Sequence, residues 1–257
     1  LSGPIIVFDS GIGGLSVLQH IQKQLPNHDV FYLFDNARLP YGDLEEQVLI
    51  TGCVELITEQ VTKLNAQVVV VACNTASTLV LPALRQALTI PVVGVVPAIK
   101  PAAKLSQTKH IALLATPGTV NRQYTKQLIS NYAHDCKVAL LGTSEMVMLA
   151  EAKLANEAID QAIITEILQP LNQSSIDTIV LGCTHFPLLI SEIKMALTQH
   201  VTLLDSGVAI AKRVESLVGE SKTKKRGQLQ AGFTKQISEQ LKLTLVDYGF
   251  SRFALRP

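Results

Sequence analysis

The sequence predicts an α/β fold of two pseudosymmetric lobes, each a mainly parallel sheet flanked by helices, with an active site between them. Three observations carry this. Short β-branched runs alternate with segments of helical period along the chain, the pattern of parallel sheets covered by helices. Apolar residues make up 47% and charged residues 17% of the 257 residues, so the strands are expected to be buried on both faces and the chain to be packed rather than disordered. Finally, VVVVACNTAS at 68–77 is echoed by DTIVLGCTHFP at 177–187. Each is an apolar strand, a small residue, a cysteine, threonine within two positions, and then a helix.

Taken in order, a first strand is expected over residues 4–8, followed by a glycine turn and a helix over 14–24. A second strand follows at 30–34, a loop through 36–43, a long helix over 44–64, and a strand over 68–72 ending at Cys73. Residues 78–88 read as a helix in which Pro82 must occupy the first turn or kink the backbone. The second series has a strand at 92–95, a helix at 98–105, a strand at 111–115 ending in a Thr-Pro-Gly-Thr turn, a helix at 121–132 and a strand at 137–141. Two helical stretches lie within 144–171, a strand at 178–181 ends at Gly182 and Cys183, and a helix begins at Pro187. A strand over 201–204 then leads through Asp205-Ser206-Gly207 to a helix reaching residue 218. Residues 219–228 are polar and read as a loop, and 243–246 as an edge strand. The expected division is a first lobe of residues 1–93 plus 205–257, the C-terminal segment returning to it, and a second lobe of 94–204. Each lobe then offers a cysteine at the carboxyl end of a strand, where α/β sheets bind ligands.

A formal net charge of +1 gives no basic surface for nucleic acid. The one basic cluster, residues 222–226, reads as a solvated loop. Apolar runs are far shorter than the roughly 18 residues of a membrane span, and no charged leader precedes an apolar stretch. The expectation is a soluble, cytoplasmic chain that acts on a small molecule. Cys53, Cys73, Cys136 and Cys183 have no metal-type spacing and read as free thiols of a reducing compartment. Cys53, in a helical stretch, and Cys136, in a polar connection, are expected to be incidental. No metal site is indicated.

Cys73 and Cys183 are different. A thiol at the start of a helix sits near unpaired N–H groups and the positive end of the helix dipole, which is expected to lower its pKa from about 8.5 and raise its thiolate fraction. His185 stands two residues beyond Cys183, beside Thr184, and can hydrogen-bond a substrate group or protonate it. FDSGIGG at 8–14 places Asp9 and Ser10 at a strand end, with glycines that let the backbone approach a ligand. It lacks the third glycine of a dinucleotide fingerprint and the lysine of a P-loop. Pro40, Tyr41 and Gly42 can clasp a carboxylate with their backbone. Thr116 and Thr119 stand where a second-lobe helix begins, suited to an anion or to capping. Lys100 decorates a helix. Serine-elbow and zincin motifs are absent from the sequence.

The fragments FDSGIGG, DNARLPYGD, ACNTAS, VVPAIKPA, ATPGT, LGCTHFP and LLDSG, in register from Ile5 to Ala211, resemble the glutamate racemases of the aspartate/glutamate racemase superfamily. The resemblance implies a cofactor-independent isomerase that makes D-glutamate for cell-wall peptidoglycan. Its catalytic thiols fall on Cys73 and Cys183, assisted by Asp9 and His185. Its substrate contacts fall on Asp9, Ser10, Tyr41, Gly42, Asn74, Thr75, Thr184 and His185, and Glu151 matches loosely a further acidic residue near His185. Thr-His after the second cysteine fits the glutamate branch, since Thr-Glu is usual in the aspartate one. The competing readings are an aspartate or related racemase or isomerase of the superfamily, and a non-enzymatic amino-acid-binding or thiol-sensing protein. The oligomeric state is open, a homodimer included.

Overall fold

The computed structural model describes residues 3–173, 175–221 and 223–256. The first lobe opens with β1 (Ile5–Asp9), α1 (Leu15–Gln24), β2 (Val30–Phe34), α2 (Glu46–Leu64), β3 (Val68–Val71), α3 (Asn74–Ala87) and β4 (Val92–Gly94). The second holds α4 (Ile99–Leu105), β5 (His110–Ala115), α5 (Pro117–Val120), α6 (Gln123–Tyr132), β6 (Lys137–Gly142), α7 (Glu145–Leu154), α8 (Gln161–Leu168), β7 (Thr178–Leu181), α9 (Ile190–Ala196) and β8 (Thr202–Leu204). The chain then continues as α10 (Gly207–Val218), β9 (Leu229–Phe233), α11 (Glu239–Asp247) and β10 (Phe250–Leu255). Every strand pairing is parallel.

Among the described residues the first sheet has the order β10-β9-β2-β1-β3-β4 and the second β6-β5-β7-β8. The run β2-β1-β3-β4 of the first sheet and the four strands of the second follow one plan. In each, the first strand sends the chain to one side and then to the other. That reversal makes a crevice at the carboxyl ends of β1 and β3 in one lobe and of β5 and β7 in the other, the places where open parallel sheets bind ligands. Cys73 follows β3 and Cys183 follows β7, so the sequence echo is a topological repeat.

Both faces of each sheet are apolar. Ile5 and Val7 of β1 pack with Leu18 of α1 and Val214 of α10 on one face, while Ile6 and Phe8 pack with Ile57 of α2 and Val80 of α3 on the other. A strand buried on both sides needs no polar alternation, which is why IIVF and VVVV are continuous apolar runs. The second sheet repeats this, with Leu114 and Ile179 facing α7, α8 and α9 and Ile111 and Val180 facing α4.

The structure corrects three local expectations. The helix after Cys73 starts at Asn74, not at residue 78, and carries Pro82 well inside it. Pro187 lies in a short 3-10 turn, Phe186–Leu189, before α9. Residues 243–246 are helical, not an edge strand, and the strands of the tail are β9 and β10. Leu241, Leu243 and Leu245 alternate as a strand would. But the Ser238 side chain accepts from the Leu241 N–H and starts a helix, which buries Leu241 and Leu245 four residues apart and leaves Leu243 62% exposed. Residues 223–226 of the basic cluster are exposed, and Lys222 lies outside the described residues.

The helical assignment of 243–246 has a measurable consequence. Leu243→Ala is expected to change stability by no more than about 0.5 kcal/mol, whereas Leu243→Pro in a helix interior costs about 3 kcal/mol or more. Urea unfolding of both variants checks this, since an edge strand would tolerate the proline.

Candidate active site

The two sulfurs reach one cavity from opposite lobes. It measures about 270 Å³ and is lined by Ser10, Pro40, Tyr41, Gly42, Cys73, Asn74, Thr75, Thr116, Val147, Cys183, Thr184 and His185. A cleft of about 1480 Å³ beside Arg38, Gly52 and Glu59 is larger but contains neither thiol, so size does not identify the site here. Of the residues predicted from sequence, Asp9 and Thr119 stand behind the cavity wall, both fully buried. Val147, on α7, is a wall residue that sequence reasoning missed.

Asp9 ends β1. Its Oδ1 accepts the Gly11 N–H at 3.1 Å and the Ser10 hydroxyl at 3.3 Å, and its Oδ2 accepts the Thr184 hydroxyl from the other lobe at 2.9 Å. Burial raises the Asp9 pKa, against the pull of His185, the Gly11 N–H and the Thr184 hydroxyl. The Cys73 Sγ lies 3.8 Å from the Ser10 Oγ. On this side of the cavity Cys73, Ser10 and Asp9 form a chain.

On the other side the Cys183 Sγ is 3.8 Å from Nδ1 of His185, whose Nε2 is 2.8 Å from Oε1 of Glu151. The same Glu151 oxygen accepts the Ile12 N–H of the first lobe at 2.8 Å. The loosely matched Glu151 is therefore brought to His185, and no helical periodicity or spacing marks it in the sequence. The glycines of FDSGIGG were expected to admit a ligand. They admit the second lobe instead: a Cβ on Gly11 would sit 2.0 Å from Oε1 of Glu151, and one on Gly13 would sit 2.3 Å from Nδ1 of His185.

Cys73 departs from the electrostatic expectation. It does occupy the N-cap of α3, and the Ala76 N–H supports its charged form, but burial and the nearby Asp9 outweigh both and push the thiol well above its ordinary pKa. Removal from water costs a lone sulfur anion more than a helix end returns.

The Thr75, Thr116 and Thr119 hydroxyls form a triangle across the lobes with sides of 2.8, 3.2 and 3.1 Å. Asn74 is 5% exposed and its Oδ1 has no hydrogen-bond partner. A buried, unpaired acceptor lining a cavity is suited to a ligand donor such as an ammonium group. Tyr41 presents its ring and backbone to the site, but its hydroxyl donates away from it, to Oδ2 of Asp35. Outside the cavity lining, Ser144 donates to Asp43 at 3.0 Å and Arg122 pairs with Glu46, both across the lobes. Among the described residues no group of three or more His, Cys, Asp or Glu is placed to hold a metal ion, and no helix is long and apolar enough to cross a membrane.

Comparison with known proteins matches residues 7–214 to the Asp/Glu/Hydantoin racemase family. The chain is 64% identical over 255 residues to the glutamate racemase of Shewanella frigidimarina, covering 99% of this chain and 98% of that protein. Its structure is similar to that of Escherichia coli glutamate racemase in complex with L-glutamate and the activator UDP-MurNAc-ala, with a TM-score of 0.92, 43% identity and 98% of each chain covered. A glutamate racemase isoform from Bacillus anthracis gives a TM-score of 0.81 at 30% identity, over 98% of this chain and 96% of that one.

His185 is 1% exposed. Burial alone would lower its pKa, but the hydrogen bonds and charges of Cys183 and Glu151 hold it well above the ordinary 6.5. A group whose pKa rises on folding contributes stability that is complete below its unfolded value and is lost as pH rises through the folded one. The stability difference between the wild-type protein and His185→Gln is therefore expected to shrink as pH rises from 6 towards 9, read by urea unfolding at each pH. A difference independent of pH would contradict the charged imidazolium.

Proposed function

Because this chain belongs to the Asp/Glu/Hydantoin racemase family, we propose that it interconverts L- and D-glutamate by proton transfer between two thiols, without a cofactor. The observation that carries the reading is the placement of Cys73 and Cys183 on opposite lobes around one closed cavity, each backed by its own hydrogen-bonded relay. The 64% identity to a glutamate racemase over nearly the whole chain supports glutamate as the amino acid. D-glutamate made this way supplies peptidoglycan synthesis, with the protein working in the cytoplasm, alone or as a homodimer. The lobes of the reading are residues 1–93 with 205–257, and residues 94–204.

Inversion at the α-carbon removes a proton from one face and returns one to the other. In one direction a thiolate takes the α-proton while the opposite thiol gives its own, and the sulfurs exchange protonation states in each turnover. Burial holds the Cys73 thiol well above its ordinary pKa, which suits it to give a proton. Asp9 holds Ser10 at one sulfur, and Glu151 holds the His185 imidazolium at the other. The α-proton is a much weaker acid than a thiol, and acid–base transfer supplies only about 10² to 10⁴ in rate. The remainder comes from fixed donors around the developing negative charge. Backbone N–H groups of Gly42 and Thr75, with the Thr75 and Thr116 hydroxyls, hold the carboxylates in this reading, while the Thr184 hydroxyl stays committed to Asp9. Thr119 fixes the Thr75 and Thr116 hydroxyls from behind, and the Asn74 Oδ1 receives the substrate ammonium.

The test is reduced protein with L-glutamate in D₂O, followed by optical rotation and by loss of the α-proton signal. Rotation is expected to decay as deuterium enters the α-position. Cys73→Ala and Cys183→Ala are each expected to lower racemisation by at least about 10² to 10⁴ while leaving thermal unfolding close to wild type. Substantial activity in either folded variant would rule out the two-base assignment.

A further inference from the structure

We propose that Asp35 is a positioning residue of the reaction. By accepting the Tyr41 hydroxyl it holds the backbone of Pro40, Tyr41 and Gly42 where that segment closes the cavity. The inference rests on the racemase reading above and adds to it a residue that touches neither substrate nor sulfur.

Asp35 follows β2 directly and is 1% exposed. Its position relative to the reaction centre is fixed through the backbone, because its N–H donates to the Asp9 carbonyl at 3.0 Å. Its two carboxylate oxygens have separate duties. Oδ1 accepts the Thr234 hydroxyl at 2.7 Å, at the end of β9. Oδ2 accepts Nε of Arg38 and the hydroxyl of Tyr41. Arg38 balances the buried charge, which would otherwise be too costly to keep.

Tyr41 is 2% exposed and lies against Phe8 with ring centroids 6.4 Å apart. Its hydroxyl donates to Asp35 and accepts from the Cys53 thiol at 3.4 Å. Burial pushes that thiol up to about 12, so Cys53 keeps its proton and serves as a donor. The segment is thus anchored within its own lobe at the tyrosine, one residue before the glycine that meets the other lobe. At Gly42 the fit is close: a Cβ there would approach the Thr116 Cβ to 3.0 Å.

The experiment compares Tyr41→Phe and Asp35→Asn with Thr234→Val, which removes the donor to Oδ1 and the acceptor of the Ala37 N–H but leaves the Tyr41–Asp35 bond in place. A hydrogen bond to an ionised group is worth about tenfold or more in the population it holds. Tyr41→Phe is expected to raise KM for glutamate about tenfold with kcat within about twofold of wild type. It is also expected to speed amide hydrogen exchange across residues 41–44 by a similar factor. Asp35→Asn moves both in the same direction, and if it fails to fold, Tyr41→Phe decides alone. Thr234→Val lowers stability but leaves KM and the exchange of 41–44 within about twofold. Unchanged KM and exchange in Tyr41→Phe, or a rise in Thr234→Val equal to that in Tyr41→Phe, overturns the proposal. A wild-type protein that does not turn over glutamate would instead sink the racemase reading, and the exchange rates would still decide the role of Asp35.

Discussion

The site depends on the turn after β1 being threaded by side chains of the other lobe. Thr184 donates to Asp9, Ser16 donates to the Thr184 carbonyl at 2.8 Å, and Glu151 accepts the Ile12 N–H while holding His185. Each lobe thereby sets the other's acid–base group. Inversion needs groups on opposite faces of one carbon, and neighbouring strand ends of one sheet point the same way. Pairing two copies of the same strand order, carboxyl ends inward, solves that geometric problem, and the bonds at the turn fix the separation of the halves. Gly11 and Gly13 are there because those bonds need the room.

Closing the lobes has an electrostatic cost. Every group that handles protons at this site is at most 6% exposed or hydrogen-bonded to one that is, and each ion placed there loses hydration worth several kcal/mol. The structure offsets this by sharing. Asp9 receives three donors, and one Glu151 oxygen serves both the imidazole and a backbone N–H. Cys73 is left with little compensation, and burial holds its thiol well above its ordinary pKa. The same burial raises the worth of every donor aimed at developing negative charge. Burial that makes a thiolate harder to form thus also makes the α-proton easier to remove.

The sheets were legible because burial on both faces writes itself as unbroken apolar runs, and 30–34 and 178–181 have those ends in the structure. The two thiols were legible because βα turns repeat. What failed was whatever depends on partners distant in sequence. Leu243 alternates like a strand until Leu241 and Leu245 find a core four residues apart. Glu151 belongs to an ordinary amphipathic helix until the turn at 9–14 meets it. Tyr41 reads as a contact residue, yet its hydroxyl serves Asp35. Dipole reasoning about Cys73 failed for the same reason, since the depth of burial is a property of both lobes together.

The lobes are alike in strand order but not in what stands behind each sulfur. Ser10 and Asp9 back Cys73, and His185 and Glu151 back Cys183. For a reaction between mirror images this asymmetry carries no thermodynamic penalty. L- and D-glutamate have equal free energies, so kcat/KM must be the same in both directions whatever the two relays are. Unequal relays can only divide that common value differently between kcat and KM. A neutral serine on one side and a charged histidine on the other therefore do not make the protein a one-way catalyst. They give the two sulfurs different surroundings, a hydroxyl and a buried carboxylate behind Cys73 and an imidazole and a carboxylate behind Cys183.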